Sequence, residues 1–146
     1  MGSPEGGGGP RMMLEWLQRA TTDHDLDGIA ACFASDYRNE TPAHPGRSFT
    51  GQAQVRRNWE QILAFVPDIT AEVLRSAVDG DTVWSEWEMR GTRLDGSPHL
   101  MRGVMIFGVA DGLASWVRFY LEPVEDDSGD VDASVRRQVA RPEPGR

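Results

Sequence analysis

From Ile69 onward the apolar residues of this chain stop recurring every three or four positions and begin to alternate, while short turns cut the alternating stretch into four. The segments Ile69 to Ala77, Thr82 to Arg93, His99 to Val109 and Leu113 to Val124 each read as a strand. They are separated by Asp79-Gly80-Asp81, Asp95-Gly96 and Asp111-Gly112, residues that favour tight reversals. Turns this short join antiparallel neighbours only, so the second half of the chain is expected to be a meander.

The first half follows a helical period. In Arg11 to Thr22, Met13, Leu14, Trp16, Leu17 and Ala20 form a broad apolar stripe. Asp25 is placed to cap a second, short helix carrying Leu26, Ile29, Ala30 and Phe33, which Ser35 and Asp36 end. Tyr37 to Thr41 is expected as a short strand, and a Pro- and Gly-containing loop from Pro42 to Gly51 carries His44. A third helix follows, with Val55, Trp59, Ile62, Leu63 and Val66 on one face, and Pro67 stops it. Three helices ahead of a meander predict an α+β fold with the helices on one face of a curved antiparallel sheet. The domain is expected to run over 12–123. Residues 1–11 and 124–146 lack an apolar run that would pack, so both are expected to be disordered tails.

Charge and cysteine content narrow the function. The net charge is −8 and the sequence pI is near 4.8, a poor match to nucleic acid, where affinity comes from neutralising phosphates. Cys32, the single cysteine, precludes an intramolecular disulfide and is expected as a buried thiol. His24, His44 and His99 are scattered without metal-ligand spacing, so neither a metal nor a cofactor is expected. No segment approaches the apolar length of a membrane span or a signal peptide, and the expected location is cytoplasmic.

With the elements in this order, the chain resembles the SnoaL-like branch of the nuclear transport factor 2 superfamily. The resemblance rests on Ala31-Cys32-Phe33-Ala34-Ser35-Asp36-Tyr37, on Phe49-Thr50-Gly51 opening the third helix, on Trp59, and on Trp116-Val117-Arg118-Phe119-Tyr120. It implies a cone-shaped, cystatin-like fold with a hydrophobic cavity between sheet and helices, and homodimers formed through the sheet. Members include polyketide cyclases, ketosteroid isomerases, limonene-type epoxide hydrolases, dehydratases and proteins without catalysis, so function has to be argued from the site.

Alternation along each strand leaves two sets of side chains to choose between. Matching the family's pattern puts Glu86, Glu88, Met101, Met105, Arg118 and Tyr120 on the cavity side, with Trp84, Phe107 and Trp116 as further substrate-binding residues. Arg118 would then fork between Glu86 and Glu88, and a carboxylate pair sharing one guanidinium is a way to split two pKa values into an acid and a base. The same trio also reads as a structural or solvated ion cluster. Tyr37 and Asn39 match the spacing with which a Tyr and an Asn orient water in limonene-type epoxide hydrolases. The remaining acid and base positions are exchanged here, and Arg118 stands where SnoaL-type cyclases often carry a catalytic Asp. His44 is expected near the cavity mouth. Two functions follow: cofactor-free acid/base chemistry on a small apolar molecule (isomerase, cyclase, dehydratase or hydrolase type), or a non-catalytic ligand-binding or dimerisation module.

Overall fold

The computed structural model describes residues 9–125 and 129–140. Helix α1 (Pro10–Thr22) starts with Pro at its first position, where the missing N–H would have no partner, and buries Met13, Leu14, Leu17, Ala20 and Thr21. Helix α2 (Leu26–Ala31) is capped by Asp25, whose carboxylate accepts from the Gly28 N–H at 3.0 Å. Strand β1 (Phe33–Glu40) follows at once, so Phe33 belongs to a strand rather than to the helix. Sheet pairing outweighs helical spacing here, since Phe33 sits in register with Ala114 and the Ala114 N–H donates to the Cys32 carbonyl.

After a single 3-10 turn at Pro45–Arg47, the two-residue strand β2 (Phe49–Thr50) pairs with β1. Gly51, at φ +104°, turns the chain into α3 (Gln52–Phe65). The Gln52 side chain donates to the carbonyls of Ala30 and Phe33, tying the start of α3 to the α2–β1 junction. The meander comprises β3 (Thr70–Asp79), β4 (Thr82–Thr92), β5 (Pro98–Ala110) and β6 (Leu113–Pro123).

The six strands form one curved sheet in the order β2-β1-β6-β5-β4-β3, antiparallel throughout except for the parallel β1–β6 pair. That one parallel junction departs from the expected all-antiparallel sheet, and arises because the chain returns from β1 to β6 through the whole intervening fold. α1, α2 and α3 pack on one face of the sheet. The indole N–H of Trp87, fully buried in that core, donates to Ser85 Oγ, whose hydroxyl donates to the Met105 carbonyl at 2.7 Å. Gly103 in mid-β5 is a position that only glycine fits. Its φ of +153° and the close approach of the Tyr120 carbonyl oxygen leave no room for a Cβ.

At the free edge of β3, α1 supplies hydrogen-bond partners in place of a further strand. Thr22 Oγ1 both donates to the Ala71 carbonyl and accepts from the Ala71 N–H, and Gln18 Oε1 accepts from the Val73 N–H. Arg11 adds a bond to Ser76 Oγ at 2.8 Å.

Both expected tails need correction where they are described. Pro10 and Arg11 belong to α1, and Val131–Val139 form a fourth helix, α4. Asp130 caps α4 by accepting from the Ala133 N–H, and Arg136 and Arg137 sit in its last turn, where cations favour the helix dipole. No residue of α4 is buried, and its valines 131, 135 and 139 recur at one-turn spacing on its surface. Residues 1–8, 126–128 and 141–146 lie outside the described residues. Among the described residues no helix is long and apolar enough to cross a membrane.

Candidate functional site

Between the helices and the inner face of the sheet lies a cavity of about 350 Å³. α1 contributes Leu17 and Thr21 to its wall, and α3 contributes Val55, Asn58, Trp59 and Ile62. Phe33, Tyr37 and Asn39 face it from β1, with Thr41, Arg47 and Phe49 following. Met89 on β4, His99, Met101, Met105 and Phe107 on β5, and Phe119 and Leu121 on β6 complete the wall, together with Ile69.

Register decides which side chains share this face. Met105 pairs with Ser85 on one side and Phe119 on the other, so the inward set of β4 is Val83, Ser85, Trp87 and Met89. Glu86, Glu88 and Arg118 fall in the alternate rows, with Glu86 opposite Val104 and Arg118 opposite Ile106. The expected cluster of two carboxylates and a guanidinium inside the cavity is therefore corrected. All three side chains stand on the outer face, and they do not pair with one another. Glu86 pairs with Arg75 at 3.0 Å, and Arg118 pairs with Glu40 at 2.8 Å.

Glu88, only 13% exposed, accepts from the Arg90 and Arg102 Nε–H groups at 2.7 and 2.8 Å. The hydrogen bond from Arg102 foremost, then that from Arg90, holds its carboxyl below the usual range, so it is anionic at neutral pH rather than a poised acid. Trp84 and Tyr120 also face outward. Trp116 does too, its indole lying against Gly108 so closely that a Cβ there would collide with the ring. His44 binds Glu122 at 2.7 Å, with Arg47 3.7 Å from the same carboxylate, and does not line the cavity. Of the expected site residues, Tyr37, Asn39, Met101, Met105 and Phe107 are the ones that do.

The polar groups on the wall differ in how fully they are satisfied. The Thr21 hydroxyl is spent on the Leu17 carbonyl, and Asn58 Oδ1 accepts from Gln54. Tyr37 is clamped edge-on by Phe33 at 4.6 Å and Phe49 at 6.0 Å between ring centroids, and burial raises its pKa well above that of a free phenol, so it remains a neutral donor. Asn39 stands apart. Its Oδ1 is buried without a hydrogen-bond partner among the described residues. Whichever way the amide is turned, it leaves a buried hydrogen-bonding position unfilled, an arrangement that costs about 1–3 kcal/mol.

His99 is the titratable ring on the wall. Burial, and secondarily the charge of Arg93, lowers its pKa, so it is uncharged near neutral pH. Among the described residues no carboxylate lines the cavity. Sequence reasoning passed over His99 because it lies beside a turn, and assigned Trp59 to the core. The available signal was that His99 is two residues from Met101 and so shares its face. Cys32 is buried with its thiol pushed up to about 12, primarily by that burial, which leaves it inert as a nucleophile.

A model of the SnoaL-like domain matches residues 13–119. No curated protein matches the chain. Among solved structures, a Catenulispora acidiphila protein with a ketosteroid isomerase-like fold, in complex with trimethylamine, is similar with a TM-score of 0.66 and 16% identity. The match covers 77% of this chain and 87% of that one. IdmH from Streptomyces antibioticus, described as a candidate polyketide cyclase, is similar with a TM-score of 0.66 and 24% identity over 77% of this chain and 91% of its own. A cystatin-fold protein from Novosphingobium aromaticivorans matches with a TM-score of 0.64 and 19% identity, over 78% of this chain and 99% of that one.

Proposed function

We propose, on the premise that the chain belongs to the SnoaL-like family, that its cavity holds a small, mostly apolar molecule by one hydrogen bond to Asn39. The observation that carries this reading is the buried, unpartnered Asn39 amide in a mostly apolar wall. Tyr37, two residues away on the same face of β1, offers a neutral hydroxyl donor beside it.

In this reading the chemistry is proton transfer of isomerase or cyclase type, with His99 in the role expected of Glu86 or Glu88. Its uncharged ring presents one acceptor and one donor nitrogen, and Asn39 and Tyr37 hydrogen-bond a substrate oxygen whose charge changes. The alternative, a binding module without turnover, is favoured by a wall that holds no carboxylate among the described residues. Both share the binding step, which is where the test belongs.

The experiment is calorimetric titration with 2-naphthol and naphthalene, a pair that differs by one hydroxyl. The natural chain is expected to bind 2-naphthol about tenfold more tightly, the worth of one satisfied hydrogen bond of about 1.4 kcal/mol. Asn39→Leu should erase that preference while still binding naphthalene. Equal affinities in the natural chain, or a preference that survives Asn39→Leu, would remove the amide from the site.

The proposal extends to assembly. The outer sheet face has an apolar centre of Trp84, Val104, Ile106 and Tyr120, ringed by the Arg75–Glu86, Glu88–Arg102 and Arg118–Glu40 pairs. Trp84 is 52% exposed there. An apolar centre inside a polar rim fits a second copy of the same chain.

A further inference from the structure

A second hollow adjoins the cavity. Between the C-terminal end of α3 and the β4–β5 turn lies an open groove of about 540 Å³, and Ile62 and His99 line both spaces. Its lips are apolar and exposed: Phe65, the last residue of α3, at 60%, and Leu94 in the turn at 68%. The turn holds Leu94 outward by spending its polar groups on one another. The Ser97 N–H and hydroxyl both donate to Asp95 Oδ1, the Arg93 N–H donates to the Ser97 carbonyl, and the Arg93 guanidinium donates to the Pro98 carbonyl at 2.6 Å. Leu94 is therefore held exposed by an ordered turn, beside a second large apolar side chain that is itself exposed.

The two spaces lie end to end along one strand. Asn39 is in register with Val117, and Val117 with Phe107, whereas His99 lies eight residues earlier on β5. Asn39 and His99 thus stand at opposite ends of the wall of one cavity of about 350 Å³. Resting on the proposed binding role of the inner cavity, we infer that the groove is its outer compartment, and that the ligand is an elongated apolar molecule. Its polar head meets Asn39, and its tail passes Ile62 and His99 to lie between Phe65 and Leu94. The occupant is chosen by continuity. Groove and cavity meet at Ile62 and His99, which line both, and in this proposal a chain too long for the inner space emerges past them.

The test is a chain-length comparison by calorimetry, 1-hexanol against 1-decanol, on the natural protein and on the double variant Phe65→Ser/Leu94→Ser. Each buried methylene should tighten binding about fourfold in the natural protein. The double variant should hold 1-hexanol within about twofold of the natural value, yet lose about tenfold or more on 1-decanol, since the contacts removed lie only at the tail. Equal losses on both alcohols, or none on either, overturn the outer compartment while leaving the inner site intact. Failure of both alcohols to bind the natural protein overturns the inner site and this extension with it. Conversion of a dimer to a monomer by the double variant, read by sedimentation, assigns the lips to a second copy and overturns it as well.

Discussion

Two guanidiniums share the Glu88 carboxylate, and the arrangement makes this residue a structural anion with a defined pH signature. Its pKa is lowered on folding, so the stability it contributes is fully present above its ordinary value of 4.5 and is lost as pH falls below that towards the folded value. Thermal unfolding of the natural chain and Glu88→Gln should differ by a constant amount from about pH 5.5 to 7, and the two should converge in acid below about pH 4. A difference that instead grows towards low pH would mean that the carboxyl is protonated in the fold. How legible such residues were in the sequence follows from what fixes them. Tyr37 and Asn39 lie two apart on a strand, so local spacing sufficed to put them on one face. Glu86, Glu88 and Arg118 depended on which row of β4 meets which row of β5 and β6, and a slip of one residue exchanges every side chain between faces. Periodicity within a single strand cannot resolve that choice.

Among the elements, β5 contributes four residues to the cavity wall, two on either side of Gly103. Gly103→Ala would push a methyl group into the backbone of β6 at Tyr120 and Leu121, at a φ that side-chain-bearing residues rarely adopt. A loss of about 2–4 kcal/mol is expected, readable as a lowered urea midpoint with unchanged slope. A variant as stable as the natural chain would show that this position does not require glycine. The order of elements, the Asp25 cap, the third helix and the meander were all legible, because each is encoded by residues a few positions apart. Two features were not: the early start of β1, set by its pairing with β6, and the parallel hand of that pair. Both depend on segments some eighty residues apart. α4 was missed for a different reason. Its acidic neighbours lowered the mean hydropathy of the tail and masked a capped helix with valines one turn apart.

For the whole molecule, the proposed pairing through the outer sheet face predicts a dimer in sedimentation velocity at tens of micromolar, converted to monomer by Trp84→Glu, with naphthalene binding retained. A natural chain that sediments as a monomer would leave Trp84 without a partner and refute the assembly. The opposite border of the sheet is handled differently, and that has a consequence for biosynthesis. β3 is an outermost strand whose backbone groups find partners in Gln18 and Thr22 of α1, the first described helix of the chain. During translation that helix emerges some fifty residues before the strand it shields, so the two must find each other after both are made. From its emergence until α1 docks, the strand presents bare amide and carbonyl groups to any neighbouring nascent chain. Helix α1 thus acts as a built-in guard against strand-to-strand aggregation.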